Sequence, residues 1–569
     1  MTISALPDLA DFPGVALSES DGVPVLLAPR EGNLGAGIVF RVGTAHETLA
    51  TSGITHLVEH LALRGQVLSE AHLNGQTHAD VTVFHVAGSV HDVVSYLNDV
   101  CASLQDLPLD QIETEKDILR SEAEGRNPGF GGALRVNRHG ARGYGLAGYG
   151  ERGLDRITPA EVRQWAARMF TRENAVAWVT ADALPAGLDL SLPSGERMYP
   201  PAVTDVLQGT PAYLSGLRDG VSLDALVPRG YPALLATGVV REVLHRDLRR
   251  SADIAQSLSV SYDHLDDELA RVSVVVRAAE GRQDAAAGGL ADALGGLRFH
   301  VTEDDLAAAR EGMLEEMAEA AAAPAADLLP SLAYRMVTGR DLDGSDQARA
   351  AVEQVSANDV LGTMREVWGS ALWYGPAPLD WAGMAPAPEQ SPALAKGRSY
   401  PRIDVPDVSL VIGPDGVGSA SPDGVVTVLF ADCVLMETVP DGARVLTGAD
   451  GFRVVIEPTL YRSLTVADIA ASVDRHVPED VVVHHPARAP QDIPVAVPPK
   501  KAGKVARSVW GTIERLIALW FGVFVLFVVA ELIARELFGA ELRLGFLPLL
   551  VLVATTVQLL RKRHGKGER

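Results

Sequence analysis

The first part of the chain alternates strand-like and helix-like hydrophobic patterns. Apolar runs at Val23–Leu27 and Gly37–Val42 predict buried strands, and apolar positions spaced two apart over Val81–Ala87 predict a third. Helical patterns cover about Ser52–His60 and Leu109–Glu124. The alternation continues to about residue 195, so the pattern predicts a mixed α/β unit over 1–195.

A similar mixture follows a proline-rich boundary and then gives way to a different pattern. Residues 200–385 again combine strand and helix patterns, whereas residues 400–486 contain short strand patterns separated by Asp-Gly turns. The Gly-rich segment Gly125–Gly153 lacks the ending of a phosphate-binding loop and is predicted to be a flexible connection. We therefore expect an α+β fold class with two similar α/β halves and a small β-rich module.

Two apolar stretches near the C-terminus predict transmembrane helices. Leu516–Ile533 and Leu544–Leu560 are about long enough to span a bilayer, although two buried core helices are an alternative. Basic residues are dense on both outer flanks and sparse in the intervening loop, so both flanks should be cytoplasmic. We expect a basic tether (487–515), a transmembrane hairpin (516–560) and a basic cytoplasmic tail (561–569). The chain would be a multi-pass protein of the cell membrane with residues 1–486 on the cytoplasmic side.

Composition narrows the classes of function. The 569 residues are 47% hydrophobic and 22% charged, which indicates several globular domains. A formal net charge of −23 argues against nucleic acid as a partner. The two cysteines, Cys101 and Cys433, predict neither a disulfide framework nor a thiolate metal site.

The candidate chemistry lies in His56-Leu57-Val58-Glu59-His60. One helical turn separates the two histidines, so both imidazoles face the same side of the helix. This spacing suits two ligands of one tetrahedral zinc ion, with Glu59 placed to take a proton from water. A hydrolytic zinc site needs a third protein ligand. Spacing alone leaves four carboxylates of the next long helix open for this role: Glu113, Glu115, Glu122 and Glu124.

Residues 20–180 resemble the catalytic half of the pitrilysin family of zinc peptidases, inverzincins that include insulin-degrading enzyme and mitochondrial processing peptidase. The matching segments occur in the family's order: Gly43–Glu47, Gly53–His60, Leu73–Thr77, Glu115–Glu122 and Phe170–Asn174. The resemblance implies that His56, His60 and Glu122 are the zinc ligands. It also implies that Glu59 is the general base and Glu115 the supporting carboxylate.

The resemblance also implies where a substrate binds. Asn74 and Gly75 match the edge strand on which the family holds an extended peptide, although the family usually has Ala at the position of Gly75. In the second half, Arg249 matches a substrate-contacting arginine, while Gln256 stands where the family has tyrosine. The interval from His60 to Glu122 is shorter than in relatives, because only seven residues separate Gly65 from Leu73, where relatives have an additional helix.

The function implied is that of a membrane-anchored zinc metalloendopeptidase that hydrolyses peptides or unfolded segments with zinc-activated water. The two halves resemble one half of the family's clamshell, so we expect a homodimer, or a heterodimer with another peptidase-like chain. The alternative is a non-catalytic binding or assembly subunit at the membrane, which the shortened stretch and Gln256 favour. A third interpretation, a membrane sensor with structural zinc, would need a fourth protein ligand, and the sequence offers none.

Overall fold

A computed structural model describes residues 9–64, 72–125, 129–250 and 254–498. These residues form a mixed α/β structure with two six-stranded and two four-stranded sheets. The predicted hairpin (516–560) and tail (561–569) lie outside them, as does most of the tether. Within the ranges given above, no helix is both long enough and apolar enough to cross a membrane.

The first sheet has the strand order β1-β2-β6-β3-β5-β4. Its strands are β1 Ala16–Ser20, β2 Val23–Leu27, β3 Leu34–Phe40, β4 His72–Thr77, β5 Thr82–Gly88 and β6 Ala175–Val179. Every residue of β2 is buried, whereas β5 alternates buried and more exposed positions, as its period of two predicts. β4 pairs antiparallel with β5 and forms the edge of the sheet.

Helices cover one face of this sheet and complete the core of the first half. They are α1 Ile54–Leu63, α2 Val90–Gln105, α3 Ile112–Gly125 and α5 Pro159–Met169. Helix α4 Gly129–His139 instead packs against the second half through Leu134. The start of α5 follows from its sequence, because Thr158 accepts the Glu161 N–H and Pro159 occupies the first helical position. The prediction of a flexible connection over Gly125–Gly153 was wrong, since α4 lies within it.

The second half repeats the topology of the first. Its sheet has the order β12-β7-β11-β8-β10-β9. The strands are β7 Ala212–Ser215, β8 Gly220–Pro228, β9 Ala255–His264, β10 Leu269–Ala278, β11 Leu372–Gly375 and β12 Ala385–Pro386. β7 to β11 reproduce both the order and the parallel or antiparallel pairing of β2 to β6.

One helix of the second half packs against the first sheet. The helices are α6 Tyr231–Leu244, α7 Gln283–Leu297, α8 Glu303–Ala322, α9 Ala325–Thr338, α10 Ser345–Gln354 and α11 Ala357–Ser370. The break between α8 and α9 falls at Pro324, because proline disfavours a helical conformation in the preceding residue. Leu329 and Ala333 of α9 join a buried cluster with Val39 and Trp178 of the first sheet. This packing joins the two halves.

The β-rich module docks on the first half. It contains β13 Arg398–Pro401, β14 Ser409–Ile412, β15 Gly416–Ser421, β16 Gly424–Leu429, β17 Cys433–Thr438, β18 Arg444–Gly448, β19 Arg453–Ile456, β20 Val482–His484 and α12 Val466–Ser472. Arg152 donates to Glu437 at 3.1 Å, and the His485 ring lies 2.8 Å from Asp155. Hydrogen bonds to Glu437 and Asp155 raise the pKa of His485. The module therefore fixes the segment that precedes α5.

Candidate metal centre

The start of α1 is fixed by a buried carboxylate. Glu47 accepts the backbone N–H groups of Gly53 at 2.9 Å and Thr55 at 2.8 Å, which satisfies two of the donors that a helix start leaves unpaired. Burial raises the pKa of Glu47 to about 7. Gly53 precedes the helix with φ of 96°, a conformation that favours glycine. Glu47 and Gly53 thus fix the start of α1 and with it the position of His56.

Two carboxylates orient the two histidine rings. His56 Nδ1 lies 2.8 Å from Glu151 Oε1, and His60 Nδ1 lies 3.1 Å from Glu115 Oε2. Because an ionised carboxylate can only accept, Nδ1 carries the proton in each ring and Nε2 keeps a lone pair. This is the arrangement in which histidine binds a metal through Nε2 while an acidic residue fixes the ring.

Glu122 on α3 lies near the Nε2 atoms of both rings. Its carboxylate oxygens lie 3.8 Å from His56 Nε2 and 3.7 Å from His60 Nε2. Zn–N and Zn–O bonds of about 2.0–2.1 Å place tetrahedral ligand atoms about 3.3 Å apart, so a small contraction would bring these three groups to zinc distance. Two imidazoles and one carboxylate are also a typical donor set for catalytic zinc. The residues present therefore fit a zinc ion.

Glu59 is near the same histidines, but its carboxylate forms a hydrogen bond with Thr77. One potential ligand atom from each of His56, Glu59 and His60 lies within 4.8 Å of the others. The side chain of Glu59 is buried, and Oε2 accepts a hydrogen bond from the Thr77 hydroxyl at 2.8 Å. Of the two glutamates, Glu122 is the one whose oxygens face both Nε2 atoms. Glu122 is thus a candidate third ligand, and Glu59 remains a candidate for proton transfer.

Gly75 makes room for the Glu59 carboxylate. A Cβ atom at position 75 would lie 2.5 Å from Glu59 Oε1 and 2.8 Å from Leu63 Cδ1, both closer than real contacts allow. The alanine usual in the family at this position would therefore displace Glu59 or the strand in this chain. Glycine at this site is consistent with an edge strand that passes directly over the proposed base.

The glutamates of α3 that helical spacing could not distinguish have different surroundings in the structure. Glu115 is buried, contacts His60 and accepts a hydrogen bond from Arg64, so its charge is compensated. Glu113 is exposed and pairs with Lys116 at 2.9 Å. Glu115 thus orients the His60 ring, and Glu113 pairs with Lys116 on the exposed side of α3.

The predicted substrate residues fall into two groups. Asn74 and Gly75 line a cavity of about 630 Å³ together with His56, His60 and Glu122. Arg249 is exposed on a π-helical turn that follows α6, and it is not among the residues lining that cavity. The structure therefore brings the strand residues to the metal centre but does not bring Arg249 there.

Glu151 and Thr77 belong to the site although neither was predicted. Glu151 lies in the segment assigned to a connection, and no sequence pattern relates it to His56, which is 95 residues away. The approach depends on Gly53, because a Cβ at that position would lie 2.9 Å from Glu151 Cβ. Thr77 belonged to a quoted motif, but only the fold shows that its hydroxyl reaches Glu59.

Replacing Glu151 with Gln is expected to weaken zinc binding by about 10–100-fold, because a neutral amide that can also present its NH₂ group would replace the carboxylate that fixes the His56 ring and raises its basicity. The dissociation constant can be measured by competition with a chromogenic chelator on the full chain. Glu113→Gln is the matched control, since it removes the same charge from the exposed side of α3. Equal zinc affinity in wild type and Glu151→Gln would contradict the role assigned to Glu151.

Comparisons with known proteins identify the fold. No protein-family model and no curated protein sequence matches the chain. A protease from Helicobacter pylori has a similar structure, with a TM-score of 0.54, 16% identity, and coverage of 64% of this chain and 100% of that one. The first half of the periplasmic protease PqqL from Escherichia coli matches with a TM-score of 0.51 and 14% identity, covering 67% and 94%.

An inactive domain is among the similar structures. The peptidase M16 inactive domain from Pseudomonas fluorescens matches with a TM-score of 0.50 and 15% identity, covering 66% of this chain and 100% of that domain. Identities this low establish the fold rather than the activity. About two thirds of this chain therefore has the pitrilysin-like fold of M16-like peptidase domains.

Proposed function

We propose that this chain is a zinc-dependent endopeptidase that hydrolyses peptides or unfolded segments. The observation that carries the proposal is the pairing of each histidine Nδ1 with a buried or partly buried carboxylate, while both Nε2 atoms face Glu122. A site built only for packing would not need two oriented imidazoles and a third carboxylate beside an open cavity.

The residues of the site divide the work of peptide hydrolysis. A zinc ion held by His56, His60 and Glu122 would polarise the scissile carbonyl and acidify a water molecule. Glu59 takes a proton from the attacking water and delivers a proton to the leaving amine. The Thr77 hydroxyl holds Glu59 by its Oε2 atom, which leaves Oε1 for the proton transfers. β4 positions the peptide, because an edge strand offers backbone groups to an extended segment.

The alternative function is that of a non-catalytic peptidase-like binding or assembly subunit. The similarity to an inactive M16 domain and the position of Arg249 outside the metal cavity favour it. The oriented histidines, Glu59 and Glu122 oppose it, because a binding subunit has no use for a general base beside a metal site.

Membrane anchoring and assembly complete the proposal. The apolar stretches of 516–560 would hold the chain in the cell membrane, with residues 1–486 on the cytoplasmic side. A second copy, or another peptidase-like chain, would close a chamber over the metal cavity and bring an arginine equivalent to Arg249 to the substrate. A closed chamber would restrict the substrates to peptides and unfolded segments.

Zinc removal and return test the proposed activity. The detergent-solubilised full chain, stripped with a chelator, is expected to lose cleavage of a quenched-fluorescence peptide library and to regain it with one equivalent of zinc. Magnesium is the control, because it prefers oxygen ligands and octahedral geometry. A zinc-loaded chain that cleaves no peptide would contradict the enzyme assignment and favour the binding subunit.

A further inference from the structure

A second cavity opens beside the metal cavity. It has a volume of about 640 Å³ and shares His78 with the metal cavity, which it adjoins where β4 ends. Three arginines line it, Arg135 of α4, Arg271 of β10 and Arg340, and we call it the arginine cavity. It lies between the first sheet, α4, α9 and the strands β9 and β10 of the second half.

One of the three arginines has no partner among the residues that the structure describes. Arg271 donates to Asp263 at 3.0 Å, and Arg340 lies 3.5 Å from Asp80. Arg135 makes neither a hydrogen bond nor a salt bridge there. Burial and the charge of Arg271 lower the pKa of its guanidinium, which remains protonated near neutral pH because an arginine pKa starts above 12. Asp263 and Asp224 act on Arg135 only through the electric field, without a hydrogen bond or salt bridge, and the cavity lining contains three arginines against two aspartates.

Other titratable groups of the cavity do not cancel this charge. Burial and the neighbouring Arg340 lower the pKa of His264 to about 4, so this ring is neutral near pH 7. Burial and Asp80 raise the pKa of Tyr334, whose hydroxyl donates to Asp80 at 2.9 Å and stays protonated. Tyr262 and Trp178 add aromatic walls, which lower the local dielectric and strengthen charged hydrogen bonds.

Arg135 is held in place by its own helix. One turn further along α4, Arg138 is fully buried and donates to Asp224 at 2.6 Å. This pair anchors α4 against β8, so Arg135 projects from a fixed backbone. A partly desolvated guanidinium on a rigid element is suited to recognise a carboxylate.

The position of the cavity relates it to a bound peptide. Within β4, Gly75 lies beside Glu59 and Thr77 ends the strand, and His78 at the shared wall follows directly. At about 3.3 Å per residue, an extended peptide on β4 would reach the mouth of the cavity about three residues from the cleaved bond. We propose that the arginine cavity binds a carboxylate of the peptide substrate through Arg135, which gives the chain a preference for acidic peptides. A preference for cleaving acidic peptides rests on the proposed peptidase function. A preference for binding acidic peptides does not depend on that function.

The test uses the full chain with Glu59→Gln, which is expected to bind peptides without cleaving them. The probes are fluorescein-labelled, C-terminally amidated nonapeptides with Glu or Gln at one position of a neutral background. Fluorescence anisotropy should show that Glu at one position binds about tenfold more tightly than Gln, as expected for one charge-assisted hydrogen-bonded pair. Adding Arg135→Gln should abolish this difference.

A charge reversal separates recognition from structural damage. Arg135→Glu should invert the preference, so that a peptide with Lys at the same position binds more tightly than its Gln counterpart. Arg163→Gln is the matched control, since Arg163 is exposed on α5 and lines neither cavity, and it should keep the wild-type preference. A second arm compares free-acid and amidated peptides, and a preference confined to the free acid would identify the terminal carboxylate as the bound group.

Three results would overturn the proposal: no difference between Glu and Gln peptides together with no difference between free-acid and amidated peptides, a difference that persists in Arg135→Gln, or no binding of any peptide. Cleavage is scored separately with the zinc-loaded wild-type chain on the same peptides. Binding preference without cleavage would refute the proposed peptidase activity and retain the carboxylate site. Cleavage without a binding preference would refute the carboxylate site and retain the proposed peptidase activity.

Discussion

Replacing Glu59 with Gln is expected to reduce peptide cleavage by roughly 10²–10⁴-fold while zinc remains bound. The amide has nearly the same shape as the carboxylate and keeps an oxygen that can accept the Thr77 hydroxyl. It cannot take a proton from water at neutral pH, so the loss should appear in kcat rather than in zinc content.

Initial rates on quenched peptides and zinc content by mass spectrometry provide the measurement. Glu113→Gln is the control, because it neutralises an exposed glutamate on α3 and should cleave at the wild-type rate. Equal cleavage by wild type and Glu59→Gln would show that this carboxylate is not the base. A variant that loses zinc together with activity would instead make Glu59 a ligand.

Replacing Arg138 with Met is expected to destabilise the described domains by about 3–5 kcal/mol. Arg138 is fully buried, and Asp224, its partner on β8, is 2% exposed. The guanidinium also donates to the carbonyl oxygens of Asp224 at 3.0 Å and Ser370 at 2.7 Å. Removing it leaves a buried carboxylate without its counter-charge. The free-energy cost of that unpaired charge exceeds the net stabilisation that the ion pair provides.

The first unfolding transition in urea, with hydrogen exchange of β8 as a local probe, measures this effect. Arg349→Met is the control, because the exposed pair of Arg349 and Glu353 should contribute about 0.5 kcal/mol or less. The double variant Arg138→Met, Asp224→Asn should recover part of the loss, since it removes the stranded charge. A single variant as stable as the control would contradict the role given to this pair.

The spacing of residues within single segments predicted the helix and the strands on which the site residues lie. The spacing of His56 and His60 requires a helix to bring the rings together, and α1 spans both residues. The alternation over Val81–Ala87 likewise corresponds to β5. These predictions succeed because period and burial are properties of a single segment, which the sequence displays directly.

Contacts between distant segments could not be predicted in the same way. Helical spacing left four carboxylates equivalent, and only the packing of α3 against α1 shows that Glu122 faces the rings while Glu113 faces solvent. Glu151 and Arg138 lie in a segment whose glycines suggested a flexible connection. Their roles depend on partners 95 and 86 residues away, for which no local period exists.

The most direct test of the central claim is the position of zinc in crystals of the zinc-loaded Glu59→Gln chain, measured by anomalous scattering at the zinc absorption edge. We predict one peak within bonding distance of His56 Nε2, His60 Nε2 and the Glu122 carboxylate, with a fourth position open to the cavity beside β4. A peak bound by four protein ligands, or density that excludes Glu122, would contradict the account.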